Sequence, residues 1–223
     1  MISKKYLKLV DHMGNDGRVV EAARVSIEVG ERTTEQTPES DEALIKYMAK
    51  MGHSSPFEHL TATFFVKVPF FTARQWMRHR TMSYNEVSGR YSSRCYDEFY
   101  IPETSRLIEE QTKDSRQGAG KLELKNAYTT REIIKQVTDL CESNYQHLIS
   151  IGCPLEVARM ILPLNTYTSF YCTANLFNWT RFLKLRMDNH AQIEIREYAN
   201  EIHSILSKLF PLSMKYLTEY HIK

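Results

Sequence analysis

The clearest pattern along the chain lies at residues 60–68, LTATFFVKV, where Ala62, Phe64, Val66 and Val68 alternate with Thr61, Thr63 and Lys67. A period of two with one apolar and one polar face predicts a half-buried strand. Just upstream, residues 38–51, PESDEALIKYMAKM, switch to helical spacing. Leu44, Ile45 and Met48 share a face there, Ser40 or Asp41 is placed to cap the start, and Gly52 to end it. Pro69 suits the first turn of a helix predicted to run to about Arg80. Residues 81–93 hold no sustained period and read as a loop. The stretch 103–120, ETSRLIEEQTKDSRQGAG, is polar and rich in Ser, Gln and Gly, and is expected to be the most mobile segment. Helical spacing returns near Leu122 and lasts to Ile151, with Gly152 behind it as a cap. Pro154 restarts a short helix, PLEVARMIL, that Pro163 stops. Residues 165–174, NTYTSFYCTA, are β-branched and aromatic and predict a second strand, and helices follow over 175–187 and 189–209. Long helices with few strands and no regular βαβ alternation predict an α+β (mixed α/β) fold, a small central β-sheet flanked by long helices.

Composition narrows this without changing it. At 223 residues, 42% hydrophobic and 25% charged, the chain is long enough for a real core and too apolar for a disordered class. Residues 1–223 are expected to form a single domain. The net charge of +2 demands no nucleic-acid partner. No apolar run approaches the roughly 20 residues of a membrane span. The opening MISKKYLKLVDHMGND has neither the apolar region nor the cleavage site of a signal peptide. The four cysteines, Cys95, Cys141, Cys153 and Cys172, show no CxxC pairing or zinc spacing. Together these predict reduced thiols in a cytoplasmic protein.

The chemistry concentrates in two consecutive segments. In ARQWMRHR, a helix would set Arg74 and Arg78 four apart and Gln75 and Arg78 three apart, offering an amide and a guanidinium to one site. The bland alternative is a solvated basic face with Trp76 and Met77 in the core. The loop SYNEVSGRY then packs hydroxyls, the Glu86 carboxylate, Gly89 and Arg90 into nine residues. Gly89 is expected to let the backbone approach a ligand, and Arg90 adds a planar positive fork. Arg78, Arg80 and Arg90 would repel one another unless an anion sits among them, which points to a phosphorylated ligand. A different class of reading keeps the same residues. Arg78, Arg80, Arg90 and Arg94 would line a basic groove, with Trp76, Tyr84, Tyr91 and Tyr96 as stacking platforms for a single-stranded nucleic acid.

Arg78-His79-Arg80, followed after seven residues by Ser88, resembles the RHR-x7-S signature of the flavin-dependent thymidylate synthases. Further blocks are similar to that family in the same order. They are Ala23-Arg24-Val25-Ser26, Gly52-His53 through Pro56-Phe57-Glu58-His59, Glu156-Val157-Ala158-Arg159 with Leu162-Pro163-Leu164-Asn165, and Leu185-Arg186 through Asp188, His190-Ala191-Gln192 and Glu194-Ile195.

The resemblance implies conversion of dUMP to dTMP. Methylenetetrahydrofolate would be the carbon donor, FAD the hydride carrier and NADPH the reductant, in a homotetramer whose active sites are shared between subunits. It implies no nucleic-acid or membrane partner; a flavoprotein of another nucleotide-dependent activity is the further alternative. Gln75, Arg78, Glu86, Val87, Ser88, Gly89, Arg90, Arg159 and Arg186 would bind dUMP. Ser55, Arg78, His79, Arg80, Glu86 and Asn175 would meet FAD, with His53 and Glu58 on the flavin-side and folate-side wall. Arg186 would be the catalytic group, stabilising negative charge on the pyrimidine. Ser88 would position the nucleotide rather than attack it, since a nucleophile needs an adjacent base. Local alternatives stand beside these roles: an ion pair of Arg159 with Glu156, a cap network of Asp188 and His190, and an ion pair of Arg186 with Asp188 or Glu194. His53 and His59 match no zinc spacing, so no metal is expected. Two positions depart from the family pattern. Phe177 stands where the family carries an arginine, and Arg181 takes a polar position six residues after Asn175, where it is a candidate to supply the missing charge to FAD.

Overall fold

A computed structural model describes residues 6–25, 37–108 and 127–222, less the side chains of Arg94 and Cys95. Among the described residues, four strands and eight α-helices follow one another as β1 (Tyr6–Met13), α1 (Asp16–Arg24), α2 (Pro38–Lys50), β2 (Thr61–Pro69), α3 (Phe70–Trp76), β3 (Ser83–Glu86), α4 (Ala127–Ser150), α5 (Leu155–Ala158), β4 (Tyr167–Asn175), α6 (Leu176–Arg186), α7 (Ile193–Leu209) and α8 (Pro211–Leu217). The sheet order is β1-β2-β4-β3. This is the mixed α/β fold expected, a small sheet with long helices.

The alternation in β2 does what its pattern dictates. Ala62, Phe64, Val66 and Val68 are buried, and the intervening positions are half-buried. β2 and β4 run antiparallel, because the Phe70 amide donates to the Thr166 carbonyl at 2.9 Å and the Leu176 amide to the Leu60 carbonyl at 2.7 Å. That register sets Thr63 opposite Thr173, whose hydroxyls share a 2.8 Å hydrogen bond. It also sets Phe65 opposite Tyr171, whose rings meet edge-on at 5.2 Å.

The chain forms two compact units. The first takes its described residues from Met1–Tyr6, Val66–Arg78 and Asn85–Phe170. Its core includes Val66, Val68, Trp76, Tyr96, Phe99, Tyr145 and Phe170, with Trp76 edge-on to Phe170 at 5.6 Å. The Asn165 amide ties α4 to the segment that follows β3, donating to the Tyr100 carbonyl at 2.9 Å and to the Thr138 hydroxyl at 3.0 Å.

The second unit takes its described residues from Leu7–Phe65, His79–Tyr84 and Tyr171–Lys223. Phe64, Trp179, Phe182, Leu183, Ile195, Ile202 and Leu206 form its centre. Trp179 sits edge-on to Phe64 at 5.1 Å, and its indole N–H donates to the Ala62 carbonyl at 3.1 Å. Asp16 opens α1, and its carboxylate accepts the first-turn amides of Leu212 and Ser213 in α8 at 2.8 and 2.9 Å. A negative group there suits the orphan donors and positive end of a helix.

Several expected boundaries move. α2 is capped by Thr37, not by Ser40 or Asp41. The Thr37 hydroxyl accepts from the Ser40 amide at 3.2 Å and the Ser40 hydroxyl accepts from the Thr37 amide at 3.1 Å, a reciprocal box with Pro38 in the first turn. Asp41 instead holds Arg24 at 2.7 Å. α3 stops at Trp76, with Met77 as its cap, so Arg78, His79 and Arg80 leave the helix. The segment 81–93, read as a loop, contains β3, and β1, α1 and α8 add to the elements the pattern predicts. Of the stretch expected to be mobile, Thr104–Ile108 forms a 3-10 turn, and 109–120 lies outside the described residues, as do Ser26 and the predicted helix start at Leu122.

Candidate active site

Within the first unit, Gln75 is half-buried on α3 and Arg78 is exposed just beyond its cap. Glu86 ends β3, and its carboxylate accepts from the Thr168 hydroxyl at 2.5 Å. The Val87 amide donates to the Ser169 carbonyl at 2.9 Å, carrying the pairing with β4 one residue further. The chain then turns. The Ser88 hydroxyl accepts from the Arg90 amide at 3.3 Å, and the Ser88 carbonyl from the Tyr91 amide at 3.1 Å. No base reaches the Ser88 hydroxyl among the described residues, so the turn offers it for hydrogen bonding and not for activation.

Gly89 is buried, but not for the reason expected. A Cβ there would lie 2.0 Å from a ring carbon of Tyr96, and the Gly89 amide donates to the Tyr96 hydroxyl at 3.3 Å. The close approach is to an aromatic ring of the same unit. Arg90 is exposed and its Nε donates to Glu156 at 3.2 Å. Glu156 is therefore engaged elsewhere, and the local pair with Arg159 does not form.

In the second unit, α6 carries or adjoins several of the expected residues. Asn175 caps it, its side-chain oxygen accepting from the Asn178 amide at 2.9 Å. Arg181 is exposed and lies over the Phe177 ring at 5.0 Å, so the two departures from the family pattern touch each other one helical turn apart. Arg186 closes the helix, and its Nε donates to Nε2 of His79 at 3.0 Å. Burial, with the Arg186 charge beside it, pushes the His79 pKa down to about 4. Burial also lowers that of Arg186, and raises that of Tyr84, whose hydroxyl donates to the His79 carbonyl at 3.0 Å. At neutral pH this leaves an uncharged imidazole accepting from a charged guanidinium. His53 and Ser55 lie before and in the 3-10 turn Ser55–His59, both exposed, with His53 edge-on to Tyr47 at 6.0 Å. Asp188 accepts from the His190 amide at 2.7 Å and pairs with its ring at 2.8 Å, the cap network weighed from sequence.

The guanidinium groups of Arg78, Arg80 and Arg159 have no hydrogen bond or ion pair with another described residue. Guanidinium groups held without a protein carboxylate are the donors that phosphate groups require, so the residues present fit FAD and a nucleotide monophosphate. The nucleic-acid groove loses two of its platforms, since Trp76 is 0% and Tyr96 5% exposed, and both are core residues. The side chain of Arg94 lies outside those described. Among the described residues no group of three His, Cys, Asp or Glu side chains is placed to hold a metal ion, and no helix is long and apolar enough to cross a membrane. Sequence reasoning missed Thr168, Tyr96 and Tyr84 as partners of Glu86, Gly89 and His79; only the aromatic and β-branched character of their segments signalled that they pack inward.

Residues 8–212 match the family described as thymidylate synthase complementing protein. The flavin-dependent thymidylate synthase of Thermotoga neapolitana is 41% identical over 226 aligned residues, spanning 100% of this chain and 95% of that one. The chain belongs to the flavin-dependent thymidylate synthase family. The family member of Thermus thermophilus is 42% identical across 99% of this chain and 78% of its own. Among solved structures, a UMP/dUMP methylase, PolB from Streptomyces cacaoi bound with 5-Br dUMP, superposes with a TM-score of 0.88 at 33% identity, across 99% of this chain and 97% of that one. The family match runs through both compact units.

Proposed function

We propose that this chain carries out the reductive methylation of dUMP to dTMP, with methylenetetrahydrofolate as carbon donor, FAD as hydride carrier and NADPH as reductant. The observation that carries the reading is the set of guanidinium groups at Arg78, Arg80 and Arg159 with no anionic partner among the described residues, in a chain of this family. Gln75, Arg78, Glu86, Val87, Ser88, Gly89, Arg90 and Arg159 form or shape the dUMP site. His53, Ser55, Arg78, His79, Arg80, Glu86, Asn175 and Arg181 do the same for FAD. FAD supplies two-electron hydride chemistry when bound. Arg186 faces the charge that develops on the pyrimidine as its N3 proton leaves and C5 becomes electron-rich. Its fixed guanidinium is a preorganised donor for that charge. A guanidinium is not a base near neutral pH, so its role is electrostatic.

The protein works as a single domain in the cytoplasm, a compartment suited to the reduced thiols Cys141 and Cys153. It assembles as a homotetramer with active sites shared between subunits. On α4, Ile133, Val137 and Leu140 are 56%, 51% and 62% exposed at helical spacing, a stripe that association would remove from water.

The test is formation of dTMP with and without added FAD, alongside the visible flavin spectrum of the purified protein. Arg186→Lys should stay folded and yellow yet lose about 10²–10³ in rate, because an ammonium cannot reproduce the planar fork. Near-normal turnover in that variant, or no dTMP from the parent protein, would refute the assignment.

A further inference from the structure

Asn178, Phe182 and Arg186 lie four residues apart on α6, and all three grip the segment His79–Tyr84. Asn178 donates its amide to the Thr81 carbonyl at 3.3 Å. Phe182 packs edge-on against the His79 ring at a centroid distance of 4.9 Å. Arg186 donates Nε–H to Nε2 of that ring at 3.0 Å. From the other side, the Tyr84 hydroxyl holds the His79 carbonyl at 3.0 Å. The imidazole is thus clamped by its backbone, by an aromatic neighbour and by one nitrogen.

A guanidinium carries donors only, so the nitrogen it meets must present a lone pair. The ring proton is then on Nδ1, the tautomer less favoured by an isolated imidazole in water. We propose that His79 is a positioning residue: its unprotonated Nε2 anchors Nε of Arg186 and so fixes the plane in which the guanidinium meets the substrate. This rests on the assignment of Arg186 to the pyrimidine step. An arginine side chain carries considerable rotamer entropy, and tying its innermost donor to a clamped ring removes much of that freedom before substrate arrives. The depressed pKa of His79 agrees with the geometry, since a protonated ring would have no lone pair to offer.

The tautomer is read directly by ¹⁵N NMR of histidine-labelled, full-length protein near neutral pH. His79 should show a protonated Nδ1 and an unprotonated Nε2, and Arg186→Ala should shift the ring toward the Nε2–H form. An Nε2–H ring in the parent protein would overturn the proposal. Kinetics supply the second arm. His79→Ala should lower kcat for dTMP formation by about 10²-fold with KM for dUMP changed far less. His79→Gln places a side-chain oxygen as acceptor and should recover most of that loss when the two variants are compared at equal FAD saturation. A folded, FAD-loaded His79→Gln no faster than His79→Ala would overturn the anchoring role. If the parent protein makes no dTMP, the functional reading falls alone, and the tautomer with its dependence on Arg186 still decides whether the anchor exists.

Discussion

Replacing Gly89 by alanine asks whether that glycine serves a ligand or the fold. The added Cβ would sit 2.0 Å from Cε2 and 2.7 Å from Cδ2 of Tyr96. Carbon atoms rest at roughly 3.5–4.0 Å, so the ring would have to withdraw by about 1.5 Å. It has little room to do so, since Tyr96 is buried and its ring meets Phe70 edge-on at 5.2 Å. Overpacking of a close-packed site costs about 1–3 kcal/mol, and loss of the bond from the Gly89 amide to the Tyr96 hydroxyl adds about 1 kcal/mol. For a chain of this size that is a fall in thermal midpoint of roughly 5–15 °C. The assay is differential scanning calorimetry of Gly89→Ala, Tyr96→Leu and the double variant. With the aromatic ring gone the alanine has space, so the cycle should show a coupling of about 1–3 kcal/mol between the two changes. A Gly89→Ala protein with an unchanged midpoint and a lost affinity for dUMP would refute this, and return the glycine to the ligand-approach role its sequence context suggests.

Arg78→Ala should weaken dUMP and FAD by about 1.5–3 kcal/mol each, measured in separate titrations, because a charge-assisted bond to each ligand is lost; unchanged affinity for both would remove Arg78 from a shared anion site. Ser88→Ala should fold, bind FAD and keep measurable dTMP formation, since its hydroxyl accepts from the Arg90 amide and meets no base among the described residues; a Ser88 adduct trapped in the parent protein would overturn this. The native state holds His79 at a pKa of about 4 against 6.5 for the free group, so between those values the unfolded chain takes up a proton that the folded chain refuses. That contribution to stability is whole above pH 6.5 and is lost as pH falls toward 4. For this half-exposed ring it amounts to about 1–2 kcal/mol. His79→Gln should lose less stability than the parent protein over that range in denaturant titrations, and an equal acid loss in both would place the titrating group elsewhere.

How far the molecule is legible before its structure is known depends on where the deciding contacts lie. β2 is legible because one face is apolar and core, and the register of a half-buried strand leaves that pattern no second solution. β1 is not, because Leu7 and Leu9 are only half-buried while Tyr6, Val10 and Met13 are exposed, so its alternation carries little hydrophobic contrast. α3 reads too long because ARQWMRHR contains no glycine or proline to stop it. The stop is tertiary, since the His79 carbonyl is taken by Tyr84 and its ring by Phe182 and Arg186. Resemblance names the residues of the site well and their partners poorly. It could name Glu86, Gly89 and His79, but not Thr168, Tyr96 and Arg186 as what each one touches.

The departures at Phe177 and Arg181 show the same limit from the other side. Read along the chain they are two separate changes, a lost arginine and a gained one. On α6 they lie four residues apart, and the guanidinium of the second stands over the ring of the first at 5.0 Å. Phe177 in turn meets His221 edge-on at 5.8 Å, and the His221 ring is held at 2.7 Å by the Ala49 carbonyl, so the platform beneath Arg181 is anchored to α2. Arg181 thus stands one helical turn beyond Phe177, and the Phe177 ring supports its guanidinium. A substitution at either position therefore breaks the same cation–ring contact, so the two changes should be non-additive.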